Sequence, residues 1–457
     1  MDILEKAGSL LSSYNFDLWD IFFENTETKI ISLENSKIDQ FTCCSLSGIG
    51  IKGVKDFNIF YNCTDEVKEK KVLNAVRNIK NNFLTSGKKK TKNYIRRIIP
   101  PDVNKIKIPH NKIKTDKKIE LLKEMDNFVR KISHNIKQVK LTISEKIQEV
   151  KILNDTGNYV KDRRIYTTFI IFIMAGKGNS IETGYSVISG ACGYELLKQN
   201  NLKEKSRETA EAALRLLDIN EKITGEMPAV ISAEAGGTLI HEAIGHSLEA
   251  DLVQKNLSEY KGKIGQVVAS PLITVIDDAT IPGKRGSYSF DDEGIKAKKT
   301  ILIENGILKN YLYDRVTAFR DGKVSTGNGR RESFFHIPIP RMSNIYIKPG
   351  KGKEADLIKD TKNGIYIKKM GGGQVNTVTG EFIFEIKEGF KIENGKIVKP
   401  VRDATLLGKG QDILKNIDAV CDDLGFESGT CGKDGQGVPV SDAQPTLRIP
   451  KILIGSK

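Results

Sequence analysis

The chain has 457 residues, 39% of them hydrophobic and 28% charged, so it is long enough for two domains with large buried cores. No apolar run approaches the roughly 20 residues that a membrane helix requires, and the acidic, amphipathic N-terminus lacks the features of a secretory signal. Six irregularly spaced cysteines argue against a disulfide framework. We therefore expect a cytoplasmic protein.

The net charge of +14 raises nucleic acid as a partner, but this charge is unevenly distributed. Between Gly87 and Lys118 there are twelve basic residues, two acidic residues and three prolines. This stretch has two interpretations: a solvated, semi-extended connector, placed at about residues 85–118, or a phosphate-binding arm. The connector is favoured. The whole chain is rich in lysine, isoleucine and asparagine, so the basic charge of this stretch is explained by overall composition and does not require a phosphate-binding function.

The first half is predicted to be a domain of antiparallel sheets with covering helices, residues 1–222. Short alternating segments after the first helix predict an antiparallel meander. Helices are predicted at residues 2–13, at 64–83 with Thr64 as N-cap, at 116–134 and at 206–219.

The second half, residues 223–457, is predicted to be a mainly antiparallel, curved β domain. A helical pattern, GGTLIHEAIGHSLEADLVQKN, begins at Gly236, and strands dominate after it. Asn305–Gly306 and Asn394–Gly395 are typical of two-residue hairpin turns. The whole chain is thus predicted to be of the α+β class, with this helix carried by the C-terminal domain.

The stretch HEAIGHSLEAD, residues 241–251, contains two histidines with a glutamate beside the first. The helical zinc motif HExxH spaces its ligands by four residues, but His241 and His246 are five apart. At about 100° per residue, a regular helix would hold them about 140° apart, which is too far for one ion. A π-type turn absorbs one extra residue, and Gly245 offers backbone freedom beside His246. We therefore predict a locally widened helix within residues 241–246.

The best third ligand for a catalytic zinc is Cys431, because the glycines of GTCGKDGQG (429–437) would let the backbone approach an ion. Cys421 lies in an apolar helical pattern and is interpreted as packing. Cys43 and Cys44 are predicted to point to opposite faces of a strand. His336 is a weaker candidate, favoured for a structural role. The spacing alone leaves open whether the two motif histidines bind metal or are buried or capping residues.

Several longer stretches resemble the TldD branch of the TldD/PmbA metallopeptidases. They cover most of residues 225–457 in the family's order. The matching stretches are HEAIGHSLEAD, GSYSFDDEG (286–294), STGNGRRESFFHIPIPRMSNIYI (325–347), GGGQVNTVTGEFIF (371–384), IENGKIVKPVRDATLLGKGQDILKNI (392–417) and GTCGKDGQGVPVSDAQPTLRI.

The resemblance implies one zinc ion per catalytic subunit, bound by His241, His246 and Cys431, with Glu242 as the catalytic glutamate. It also implies a catalytic subunit rather than the paralogue that lacks the metal motif. The expected substrates are unfolded peptides or peptide precursors in the cytoplasm. The expected assembly is a heterodimer with a PmbA-type paralogue, or a homodimer.

The chemistry of these residues fits hydrolysis of a peptide bond by a metal-activated water with Glu242 as general base. A thiolate ligand would make the zinc a milder Lewis acid, so orientation and oxyanion donors would have to compensate. Arg330 and Arg331 are candidate substrate contacts, although a structural role is favoured. Glu249 and Asp251 are either partners of the histidines or solvated helix residues. Strand edges are expected to hold an extended peptide without reading its sequence.

Two further hypotheses remain at this point. The first is a nucleic-acid or topoisomerase-associated regulator, which only the basic connector supports. The second is a scaffold subunit in which the metal is structural. Whether the peptidase cuts internally or from an end stays open.

Overall fold

The computed structural model describes residues 2–81, 95–101, 103–219 and 221–456. Residues 85–94 and 102 of the predicted connector, and the predicted helix end at 82–83, lie outside these residues. Within the described ranges, no helix is both long enough and apolar enough to cross a bilayer.

The first half of the chain is built on one seven-stranded, mainly antiparallel sheet, with strand order β3-β2-β1-β5-β6. Strands β4 and β7 both pair with β6, β4 in parallel and β7 antiparallel. The strands are β1 (Leu18–Glu34), β2 (Lys37–Lys55), β3 (Asn58–Thr64), β4 (Arg96–Ile98), β5 (Ile136–Asn154), β6 (Asn158–Lys177) and β7 (Ser180–Gly190). Helices cover this sheet: α1 (Ile3–Leu11), α2 (Glu69–Asn81), α3 (Thr115–Arg130), α4 (Glu195–Gln199) and α5 (Leu202–Leu216).

The predicted N-cap at Thr64 is wrong. Thr64 is the last residue of β3, where it pairs with Ile49, and α2 begins five residues later at Glu69. The last predicted helix of this half begins earlier than expected, because the Asn201 side chain accepts a hydrogen bond from the Glu204 amide and caps α5. In both cases a polar side chain or strand pairing near the helix end, rather than the apolar pattern, sets the boundary.

The second half contains two larger sheets. The first has six strands in the order β11-β10-β9-β14-β21-β20. The second has the order β15-β8-β22-β18-β16-β17, and additional pairing of β15 with β16 closes part of it into a ring. The strands are β8 (Gly225–Ile231), β9 (Val275–Asp278), β10 (Lys299–Glu304), β11 (Ile307–Leu308), β12 (Gly329–Arg330), β13 (Ile339–Pro340), β14 (Asn344–Ile347), β15 (Asn363–Val375), β16 (Glu381–Glu393), β17 (Lys396–Val401), β18 (Ala404–Lys409), β19 (Ala419–Val420), β20 (Gly425–Lys433), β21 (Gln436–Gln444) and β22 (Leu447–Ser456).

Helices in this half are short: α6 (Thr238–Ile240), α7 (Ala250–Gln254), α8 (Arg315–Arg320), α9 (Glu354–Asp360) and α10 (Gly410–Asn416). Both predicted hairpin turns are present, and Asn305 and Asn394, like the glycines that follow them, have positive φ. The α+β class and the mainly antiparallel, curved C-terminal half are therefore confirmed.

The predicted motif helix is interrupted rather than continuous. Glu249 has an extended backbone between a 3₁₀ turn at His246–Leu248 and α7. The chain around this break pairs with Leu312, which donates to Leu248 and accepts from Ala250. This break carries the Glu249 side chain inward, where it is fully buried.

A buried charge cluster joins the two halves. Lys52 of β2 forms ion pairs with Asp20 of β1 and with Glu293, and Arg331 lies 2.8 Å from the other oxygen of Asp20. All four side chains are shielded from solvent. Glu293 of GSYSFDDEG and Arg331 of GRRES thus serve to join the halves. A domain boundary between residues 222 and 223 stays a prediction.

Candidate metal centre and active site

The histidine-bearing segment contains a π turn from His241 to Gly245. The amide of His246 donates to the carbonyl oxygen of His241, five residues earlier, instead of four as in an α-helix. Both histidines are buried, and their rings lie 5.2 Å apart, nearly perpendicular. The widened turn predicted from the spacing is confirmed.

Gly245 has a different role from the one predicted. Its backbone is ordinary right-handed helix, with φ −54° and ψ −51°, so no unusual conformation requires glycine there. A Cβ atom at this position would instead stand 2.1 Å from the sulfur of Met342 and 3.1 Å from Cδ1 of Ile345. The glycine is needed because the π turn packs directly against the six-stranded sheet.

Cys431 lies on β20, and a tight turn at Asp434–Gly435 connects this strand to β21. Its sulfur is 3.5 Å from Nε2 of His246, and one ligand atom from each of Cys431, His241 and His246 lies within 4.8 Å of the others. Two ligand atoms bound tetrahedrally at the zinc–nitrogen and zinc–sulfur distances would be about 3.6 Å apart. The donor set and its spacing therefore fit a zinc ion.

The electrostatics of these three groups are coupled. Burial raises the pKa of the Cys431 thiol, but the two imidazoles outweigh this effect and lower it to about 4. Burial likewise disfavours protonation of His241, yet the nearby thiolate raises its pKa above the usual range. For His246, Glu249 and the thiolate together overcome burial and raise the pKa. The three groups therefore favour a thiolate and protonated imidazoles, and a metal ion would compete with protons for the same ligand atoms.

Each histidine has a carboxylate beside it. Nδ1 of His246 lies 2.9 Å from Glu249, whose second partner is the ammonium group of Lys433 at 3.0 Å. Nδ1 of His241 lies 3.4 Å from Asp442 of β21, which also accepts a hydrogen bond from the Gly237 amide. Such carboxylates orient metal-binding imidazoles. Of the two acidic residues proposed from the sequence, Glu249 fills this role and Asp251 does not, since it pairs with Lys433 instead.

Glu242 follows His241 in the π turn and is partly exposed, whereas the side chains of the two histidines and Cys431 are buried. Burial raises the pKa of Asp442, and the nearby charge of Glu242 adds to this effect. A base that is open to solvent beside buried ligands can reach a water or substrate that enters from outside.

Other candidates lie away from this site. Arg330 donates to the carbonyl oxygens of Met342 and Pro439, and Arg331 joins the buried charge cluster, so both are structural. Cys421 is buried in a small apolar cluster, although it follows the short strand β19 rather than lying in a helix. His336 is hydrogen-bonded to Ser333.

Three residues of the site are absent from the sequence prediction: Asp442, Lys433 and Arg341. Arg341 is fully buried and donates to the carbonyl oxygens of Cys431 and Gln436 on the two strands of the hairpin. The Asp434–Gly435 pair is a hairpin signature that fixes the register of β20 against β21. That register, in which Glu427 pairs with Asp442, could have placed Asp442 near the site, whereas no local pattern marks Arg341.

Comparisons with known proteins agree over nearly the whole chain. Models of the PmbA/TldA metallopeptidase central and C-terminal domains match residues 108–217 and 224–456. A metalloprotease TldD homologue of Buchnera aphidicola is 35% identical over 97% of this chain and 94% of its own length. Another TldD homologue, from Haemophilus influenzae, is 34% identical over 98% and 94%.

The fold also matches a solved structure, that of a proposed DNA gyrase modulator from Thermotoga maritima. The TM-score is 0.82 at 22% identity, and the match covers 99% of both chains. At this identity the match shows a shared fold alone. With the two family models and the full-length relatives, however, the relationship is established: the chain belongs to the PmbA/TldD metallopeptidase family.

Proposed function

We propose that this metallopeptidase is a zinc-dependent hydrolase of unfolded peptides or peptide precursors, in which His241, His246 and Cys431 hold the ion. One observation supports this above all: two histidines of a π turn and a cysteine more than 180 residues later converge within 4.8 Å in the interior. Two imidazoles and a thiolate are ligands that zinc prefers, and three protein ligands leave a fourth position open.

Bound zinc would polarise the scissile carbonyl group and lower the pKa of a water molecule. The Glu242 carboxylate accepts a proton from the attacking water and delivers it to the leaving amine. Glu249 holds the His246 imidazole in orientation through its hydrogen bond to Nδ1, and the Asp442 carboxylate lies 3.4 Å from Nδ1 of His241. Because Cys431 contributes a full negative charge, positioning of the substrate has to supply more of the rate enhancement than in a three-histidine site.

The strand that carries Cys431 supports an extended substrate. Among the described residues, β20 pairs with β21 on one side and ends its sheet on the other. A peptide added along this free edge would pass the metal ligands and would be held by backbone hydrogen bonds, which do not depend on its sequence. A folded protein cleaved as fast as its denatured form would contradict this mode of binding.

The presence of the full ligand set supports a catalytic subunit, and we propose that it works as a heterodimer with a metal-lacking PmbA-type paralogue or as a homodimer. Six unpaired cysteines support a cytoplasmic location. The competing function, regulation through nucleic acid, draws on the basic connector. It predicts DNA binding that weakens steeply with salt and is lost when Lys88–Lys90 are neutralised.

The decisive experiment combines metal analysis with degradation of an unfolded peptide by the purified chain, alone and with any co-purifying partner. Chelation should abolish cleavage and zinc should restore it. Glu242→Gln should retain zinc and lose turnover. A scaffold with a structural metal would show no cleavage in either form, and an active Glu242→Gln variant would remove Glu242 from the role of base.

A further inference from the structure

The Lys433 ammonium group is surrounded by three acceptors from two separate segments of the chain. It lies 2.6 Å from Asp251 of α7, 3.0 Å from Glu249 and 3.2 Å from the carbonyl oxygen of Pro340. An ammonium group has three N–H donors, and each finds one acceptor here. The side chain is only 7% exposed, so this is an interior arrangement.

Lys433 is also only two residues from Cys431 on the same strand, so both side chains point to the same face of β20. Its partner Glu249 is the residue that holds Nδ1 of His246. A closed path therefore runs from the Cys431 sulfur along the strand to Lys433, across to Glu249, on to His246, and back to the sulfur at 3.5 Å. No other ion pair among the described residues connects β20 directly to the histidine segment.

The backbone of the same hairpin is fixed independently. Arg341 binds the carbonyl oxygens of Cys431 and Gln436, and this holds the two strands relative to β14 and its neighbours. The histidine segment also contacts this hairpin through the Gly237 amide, which donates to Asp442 of β21. On β20 itself, Lys433 forms the ion pairs to this segment two residues from Cys431, so it is in position to adjust the distance between the thiolate and His246.

We propose that Lys433 is a positioning residue of the metal centre: by bridging Glu249 and Asp251 it holds the thiolate of Cys431 at ligand distance from His246. The proposal rests on the proposed zinc site. Loss of a partner of this kind lowers metal affinity by roughly 10- to 100-fold in known metalloproteins. The cause is geometric, since an ion that is bound by a misplaced thiolate loses one of its three protein ligands.

The test measures metal binding rather than cleavage. Zinc affinity is determined by chelator competition, and Co²⁺ replaces zinc so that the thiolate-to-metal charge-transfer absorption reports the Cys431 bond. Lys433→Gln should weaken zinc binding by about 10- to 100-fold and reduce this absorption, and Lys433→Arg should restore part of both.

Lys118→Gln is the matched control. Lys118 is equally buried and paired with Glu145, but it lies in the first half of the chain. The Lys118→Gln variant should be less stable than the unmodified chain but should have the same zinc affinity and the same cobalt spectrum. If Lys433→Gln binds zinc as the unmodified chain does, with the same absorption, the positioning role is refuted. If the unmodified chain shows no Cys431-dependent absorption, the proposed zinc site itself fails.

If Lys433→Gln does not fold, a pair of variants decides the question. Glu249→Gln/Lys433→Met removes both charges together, which avoids a lone buried carboxylate at Glu249. Weaker zinc binding by this double variant than by Glu249→Gln alone supports the proposal. Equal binding by the two overturns it.

Discussion

Gly245→Ala separates two explanations for the glycine in the π turn. If glycine is present only for its backbone freedom, alanine should be tolerated or stabilising at this position. The residue is in helical conformation, in which alanine is preferred over glycine by about 1 kcal/mol. The structure predicts the opposite, since the new Cβ would stand 2.1 Å from the Met342 sulfur. Met342 is fully buried, so its side chain can give way only by repacking against the surrounding core.

The magnitude follows from these two effects. Overpacking of a tight core costs about 1–3 kcal/mol, and this contact belongs at the upper end because the sulfur has to move by more than an ångström. After the helix preference of alanine is subtracted, we expect a net loss of about 2 kcal/mol. The shift also displaces His246, the next residue, so zinc affinity should fall by roughly tenfold or more.

Chemical denaturation of the metal-free chain measures the first effect, and chelator competition measures the second. Gly432→Ala is the control, because it lies beside Cys431 yet has open space around a new Cβ. Met342→Ala combined with Gly245→Ala should cost less than the sum of the single changes, since the missing sulfur makes room for the new methyl group. A stable Gly245→Ala variant with unchanged zinc affinity, or strictly additive costs in the double variant, would refute the steric explanation.

Three other predictions test different parts of the molecule. Cys431→Ala should lose bound zinc and cleavage, whereas Cys421→Ala should keep the metal content of the unmodified chain, as measured by metal analysis. Burial raises the pKa of Glu259 to about 7, so stability should decline as pH rises from about 4.5 to 7. Glu259→Gln should flatten that decline and raise the free energy of unfolding at neutral pH by about 1–2 kcal/mol, after allowance for the partial exposure of this side chain. An unchanged slope of the denaturation midpoint against pH would contradict this. Lys52→Met should cost about 3–5 kcal/mol because it leaves the Glu293 carboxylate buried without its cation and removes one of the two cations beside Asp20, while the exposed Lys71→Met should cost much less; similar costs for both would refute the argument.

The sequence was sufficient for features that depend on local geometry. Alternating apolar residues and Asn-Gly pairs predicted the antiparallel strands and two of their turns. The five-residue spacing of His241 and His246 predicted the π turn, because a regular helix cannot bring them together. The glycines around Cys431, which would let the backbone approach an ion, make it the best candidate for the third ligand, and the family resemblance points to the same residue.

The features that were missed depend on contacts between distant segments. The break at Glu249 has no proline or glycine to mark it, and it exists because the carboxylate is drawn inward to His246 and Lys433. A structural role is favoured for Arg331 from the sequence, but its partner Asp20, more than 300 residues away, cannot be identified there. Propensity and periodicity carry no information on such pairs, since tertiary contacts override them.

The charges around the metal centre show what the site requires of its occupant. The Cys431 thiolate and the Glu249 carboxylate are buried anions, and the pKa of Glu249 is held at about 2, chiefly by Lys433 and His246 against the effect of burial. Lys433 balances only part of this charge, and against the effect of burial the remaining negative charge raises the pKa of His241 and of His246, which favours protons on both imidazoles. A bound dication would supply positive charge in place of these protons and would displace them from the imidazole nitrogens. Zinc affinity should therefore rise with pH until both imidazoles are neutral without metal. Proton release measured by calorimetry in buffers of different ionisation enthalpy would detect the exchange, and binding of zinc without it would show that the imidazoles are neutral before the metal arrives.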